Sequence, residues 1–210
     1  MKKSVVIRPI NLKKVRFDYK AIILFIIFIC GIVLGISLYD NSGKDIRDLL
    51  IRYMETSLDN KINQTYFKTF VTSFVYMVFP IALSYVFGLC ATGLPFVWLM
   101  PIIYGVINGI VASMYYYSYS AKGVALFALS VLLGNAITAA TLIKCCCESS
   151  VMSLNIFSAI TSKKGSIKNE IYNIKDYTIN YLILIILVII ASFINTTSYR
   201  VFYKLFGFVG

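Results

Sequence analysis

The chain has 210 residues, of which 59% are hydrophobic, 15% aromatic and only 14% charged. Soluble domains carry about a quarter charged residues, so a water-solvated fold, a disordered chain and a secreted disulfide scaffold are all excluded, and the composition is that of a protein dissolved in lipid. The net charge of +11 does not point to nucleic acid, because the basic residues sit between apolar stretches and form no single stripe interleaved with aromatics.

With charged residues as delimiters, the uncharged blocks are 21–39, 69–121, 123–143, 149–162 and 177–199. A spanning helix needs about 20 apolar residues, so blocks one, three and five hold one span each and 69–121 holds two. The expected fold is all-α: a polytopic membrane helix bundle of about five spans, with a sixth left open by 149–162, plus one external amphipathic helix. In chain order this gives a basic cytoplasmic segment 1–20, a first span 21–39, an external loop 40–68, a central bundle 69–143, a cytoplasmic or interfacial segment 144–176, a fifth span 177–194 and a tail 195–210.

Seven bases (Lys2, Lys3, Arg8, Lys13, Lys14, Arg16 and Lys20) precede the first span against one acid, Asp18. The positive-inside rule therefore puts the N-terminus in the cytoplasm, and an odd number of spans puts the C-terminus outside. The first span ends in Ser37-Leu38-Tyr39-Asp40 without a small-x-small cleavage site, so it is a retained anchor. Its Gly31 and Gly35 form a GxxxG.

In the external loop, Ile46, Leu49, Leu50, Tyr53 and Met54 recur at the spacing of one helix face. Ser42 and Asp45 resemble a capping box, and Asp48 with Arg52 is an i,i+4 pair. Such a helix either packs locally in the outer headgroup layer or presents a docking face to an external partner.

The second span crosses from Phe70 to about Phe87 with Pro80 inside it. It leads into Gly88-Leu89-Cys90-Ala91-Thr92-Gly93-Leu94-Pro95, a cytoplasmic hairpin turn in which Gly88 and Gly93 supply unusual dihedrals and Pro95 starts the next helix. The third span carries Gly105, Gly109 and Ser113 at four-residue steps, a stripe along which another backbone approaches closely. Asn108 lies beside the stripe, and the fourth span carries Gly134-Asn135. An amide in hydrocarbon needs a partner, so Asn108 and Asn135 are expected to bond across the bundle. Tyr115, Tyr116, Tyr117 and Tyr119 form an aromatic belt.

No charged residue falls inside a predicted span, which disfavours ion-coupled transport. There is no His and no pair of membrane carboxylates, so neither a rhomboid-type nor an aspartyl membrane protease is expected; external Asp45, Asp48 and Glu55 are the residual candidates for an enzyme. Cys145, Cys146 and Cys147 are contiguous, unlike the spaced pairs of a zinc site, and are expected simply to pack where a helix leaves the membrane. No metal or cofactor is expected.

The stretch Phe87-Gly88-Leu89-Cys90-Ala91-Thr92-Gly93-Leu94-Pro95, followed by Tyr104-Gly105-Val106-Ile107-Asn108-Gly109, resembles the central region of the stage II sporulation protein M family. Where that family commonly has Pro-polar-Asn in the fourth helix and an acid after the last, this chain has Leu133-Gly134-Asn135 and Asn195. The resemblance implies a non-enzymatic membrane scaffold of endospore formers that recruits peptidoglycan-degrading partners to the septal membrane during engulfment. Its partners are then membrane lipids and other membrane-anchored proteins, with cell-wall hydrolases among them. The rival from another class is a permease-like subunit of an ATPase-driven exporter, with Asn108, Asn135, Pro80 and Pro101 lining a pathway.

Overall fold

A computed structural model describes residues 19–161 and 174–205, so the basic segment 1–18, the stretch 162–173 and the last five residues lie outside the described residues. The elements are α1 (Tyr19–Asp40), α2 (Lys44–Asn63), α3 (Tyr66–Gly88), α4 (Leu94–Leu126), a π-helical stretch (Phe127–Leu132), α5 (Leu133–Thr161) and α6 (Ile174–Leu205); there is no strand among the described residues.

Among the described residues, four helical stretches are long and apolar enough to cross a membrane: Tyr19–Asp40, Tyr66–Gly88, Leu94–Thr161 and Ile174–Phe202. The third doubles back. Ser120, at φ 52° and ψ −136°, breaks α4, and the two arms then pair antiparallel. Tyr115 meets Phe127 with ring centroids 5.8 Å apart, Asn108 meets Asn135, and the Trp98 indole donates to Ser150 Oγ at 3.1 Å. Among the described residues, helices therefore run along the bundle five times.

Side chains are distributed for a lipid solvent. Phe25, Val75, Phe79, Leu182, Ile186 and Ile190 face outward, while Ser73, Ser84, Thr138, Ser149, Ser192 and Thr196 are buried. Without a hydrophobic drive between helices, small residues that permit close approach line the interfaces. Most of the buried hydroxyls also return their proton to a carbonyl one turn back, as Thr138 does to Gly134 and Ser192 to Val188.

The segment 144–161 belongs to the same helix as the fourth span. It continues α5 without a break, and Cys145, Cys146, Cys147, Ser149, Ser150, Met152 and Ser153 are buried between helices. The charges that suggested a membrane boundary cancel locally, since Lys144 Nζ lies 3.1 Å from Glu148 Oε1 one turn on. The last helix, α6, carries Asn195 and Thr196 into the bundle and extends to Leu205.

The hairpin between α3 and α4 forms where expected, with Pro95 in the first turn of α4, but the role of its glycines is different. Gly93 sits at φ −75° and ψ −14°, which any residue adopts. What it lacks is space, because a Cβ there would lie 1.8 Å from the Phe87 carbonyl oxygen. The start of α2 differs too. Gly43 is its N-cap, with no side-chain cap bond, and the Ser42 hydroxyl donates instead to the Tyr39 carbonyl at 2.7 Å.

Candidate functional site

The helix-packing residues converge on one seam. Gly31 and Gly35 of α1 meet Gly105 and Gly109 of α4, and the two helices run parallel: Phe28 stacks on Tyr104 and Tyr39 meets Tyr117 further along. A Cβ on Gly31 would lie 2.6 Å from Ile102 O, on Gly35 2.2 Å from Val106 O, on Gly105 2.4 Å from Phe28 O and on Gly109 2.2 Å from Ile32 O. Each glycine thus faces a backbone carbonyl of the other helix, which leaves no flexible side chain to yield. Ser113 continues the stripe and is also buried.

Beside this seam, Asn135 Nδ2 donates to Asn108 Oδ1 at 2.6 Å, and Asn108 Nδ2 donates to the Tyr104 carbonyl at 2.8 Å. The pair forms the polar floor of an otherwise apolar slot of about 320 Å³ lined by Phe25, Phe28, Phe127 and Ala136 among others. Phe25 and Leu132 at its mouth are exposed, so the slot opens sideways. Interhelical bonds of this kind contribute about 0.6 kcal/mol on average and at most about 1.7 in membrane double-mutant cycles. A cycle of Asn108→Ala and Asn135→Ala is expected to return a coupling in that range by denaturant titration in detergent; a coupling near zero would show the bond to be dispensable.

A second polar cluster lies outside the residues that the sequence singles out. Ser149 Oγ lies 2.9 Å from the Ser84 carbonyl, 3.0 Å from Tyr177 OH and 2.5 Å from Tyr181 OH. Tyr181 donates to the Cys145 carbonyl, Tyr177 to the Tyr85 carbonyl and Ser84 to the Ile81 carbonyl. Four hydroxyl protons face four backbone carbonyls and one another, leaving no spare donor for a ligand. The partners of Ser149 Oγ are the Ser84 carbonyl and the Tyr177 and Tyr181 hydroxyls, so the cluster ties α3, α5 and α6 together. Gly88 belongs here as well as to the turn, because a Cβ on it would lie 2.3 Å from Tyr177 OH and 2.8 Å from Ser149 Cβ. The signal in the sequence was Ser149, Ser150 and Ser153 at helical spacing, which polarity alone assigns to an interface.

The apolar stripe of α2 is divided between two faces. Met54 and Leu58 are buried against Tyr39, Met114, Tyr115 and Tyr199, with Leu50 half-buried beside them. Ile46, Leu49 and Tyr53 are 56%, 67% and 73% exposed. Asp48, Arg52, Glu55 and Asp59 are exposed on a third side, but Asp48 and Arg52 form no ion pair. Of the tyrosine belt, Tyr116 and Tyr117 are exposed, whereas Tyr115 is buried with its hydroxyl against that of Tyr199.

Against models of known families, residues 24–198 match stage II sporulation protein M. The chain belongs to that family. With its apolar helices, membership makes it a sporulation-related membrane protein. No curated protein and no solved structure matches. Gly134 and Asn195 of this member of the stage II sporulation protein M family touch each other, since a Cβ on Gly134 would lie 2.8 Å from Asn195 Cβ. Asn195 is buried, with its Oδ1 unpaired.

Proposed function

We propose that the chain is a non-enzymatic scaffold of the cell membrane, with its N-terminus in the cytoplasm and α2 on the outer side, holding peptidoglycan-degrading partners at the septal membrane during engulfment. The reading rests on family membership together with one structural observation. The exposed edge formed by Ile46, Leu49 and Tyr53 is carried on a helix whose other face is packed into the bundle. An apolar edge on an immobilised helix costs little ordering entropy to bind.

The buried interior supports adhesion better than transport, because no Asp or Glu side chain is buried among the described residues and the slot at Asn108 and Asn135 opens sideways rather than along the bundle. Deleting the gene is expected to arrest engulfment, with the hydrolases dispersed from the septum by fluorescence microscopy. Normal spores from the deletion strain would reject the reading. A neighbouring ATPase required for transport in reconstituted vesicles would favour the exporter instead.

A further inference from the structure

Where α2 ends and α3 begins, two cations from distant parts of the chain meet. Arg200 on α6 donates through Nη2 to the Gln64 carbonyl, and its guanidinium carbon lies 5.3 Å from the centre of the Tyr66 ring. Lys61, in the last turn of α2, places Nζ 4.5 Å from the centre of the Tyr199 ring. Thr69 Oγ1 donates to the Lys61 carbonyl at 3.0 Å, and Tyr66 OH lies 2.8 Å from Thr197 Oγ1, so the corner is tightly held.

Neither cation forms an ion pair among the described residues, and Asp59, the acid nearest to Lys61 along α2, is exposed about 200° round the helix from it. Arg200 Nε is buried with no acceptor. Burial pushes the Lys61 ammonium down to about 8, with no acid holding it up. Lys68, exposed in the first turn of α3, adds a third base.

Helix dipoles do not offset this charge. The end of α2 contributes about −0.5 and the start of α3 about +0.5, and these cancel. The N-cap of α3, Thr65, makes no side-chain cap bond, so the N–H groups of the first turn also lack that partner. Phe67, 72% exposed, and Tyr66 are aromatic residues at the start of α3, the kind enriched at headgroup depth.

We propose that this corner binds the phosphodiester of an anionic phospholipid in the leaflet at the α2 end, with Lys61 and Arg200 as its cationic contacts. A zwitterionic headgroup brings its own ammonium against two cations already present, so the site selects a net negative lipid. The bound lipid ties α2 to the bilayer at the root of its exposed edge.

The test uses the full chain in vesicles of phosphatidylcholine, with or without phosphatidylglycerol. A neutral amine-reactive ester is applied at mildly alkaline pH, and acylation of Lys61 is read by peptide mass mapping relative to Lys44, which is exposed at the other end of α2. A paired phosphate raises the amine's pKa, and with the amine starting near the labelling pH the first unit removes about fivefold of the reactive free amine and each further unit about tenfold. The Lys61 to Lys44 ratio is therefore expected to fall about fivefold or more with phosphatidylglycerol, while inorganic phosphate added to phosphatidylcholine vesicles leaves it unchanged. An equal ratio in both vesicles overturns the proposal, and protection by inorganic phosphate alone overturns the lipid as its source. Native mass spectrometry gives a second reading: wild type and Arg200→Lys retain phosphatidylglycerol through detergent, and Arg200→Gln loses it. Retention by Arg200→Gln equal to wild type also overturns the proposal.

Discussion

Gly109→Leu is expected to lower the unfolding midpoint in detergent by roughly 2–12 °C. The new Cβ would lie 2.2 Å from the Ile32 carbonyl oxygen, with Ile32 C and Ile36 N both at 3.1 Å, so only rigid backbone is available to move and α1 must shift away from α4. Overpacking a fitted interface costs about 1–3 kcal/mol, and for a chain of this size each kcal/mol moves the midpoint by about 2–4 °C. Gly35→Leu, which meets Val106 on the same seam, is expected to act likewise. The pair should be less than additive, because once the helices have separated the second side chain has less to displace. Gly43→Ala supplies the contrast, since a Cβ there meets nothing within 4 Å and the midpoint should not move. Full additivity of the two leucines would show that the seam is not shared.

The second large effect is at Gly88. Gly88→Ala places a methyl group against Tyr177 OH and Ser149 Cβ, and the Tyr177 ring cannot swing away freely because it stacks on Tyr85 with centroids 5.1 Å apart. Loss of the Ser149 and Tyr177 bonds leaves buried carbonyls such as that of Tyr85 without a donor, which costs about 1–3 kcal/mol. Tyr177→Phe removes the oxygen that the new methyl group would strike. The double variant is therefore expected to be more stable than the sum of the single changes predicts, read by thermal unfolding of the three variants. Simple additivity would place the strain at Ser149 alone.

The bundle was legible in the sequence to the extent that its information is local. Uncharged blocks of spanning length mark the five passes, and glycines at four-residue steps mark backbones that come close. Asn108 and Asn135 were legible as a pair because hydrocarbon leaves an amide few alternatives. What was hidden depends on distant neighbours. Lys144 looked like a membrane boundary until Glu148 is seen to pair with it, and Ser149 and Ser153 looked interfacial although in lipid such hydroxyls hold helices together. Gly88 and Gly93 were recognised as necessary, but the need is for space rather than dihedral freedom, which depends on Tyr177 in one case and the Phe87 carbonyl in the other. Periodicity located the apolar arc of α2 but could not show that Met54 turns inward while Tyr53 stays open. The unusual dihedral belongs to Ser120, a residue with no turn signature of its own.

The most direct test of the scaffold reading is affinity capture from sporulating cells with the wild-type chain and with Ile46→Ser/Leu49→Ser/Tyr53→Ser. All three positions are exposed, so the variant should insert and unfold like wild type. Peptidoglycan hydrolases are expected with the wild-type chain and should fall at least about tenfold with the variant, the loss of roughly 1.4 kcal/mol or more of binding. Equal recovery of hydrolases by a correctly inserted variant, or a transport ATPase in their place, would contradict it.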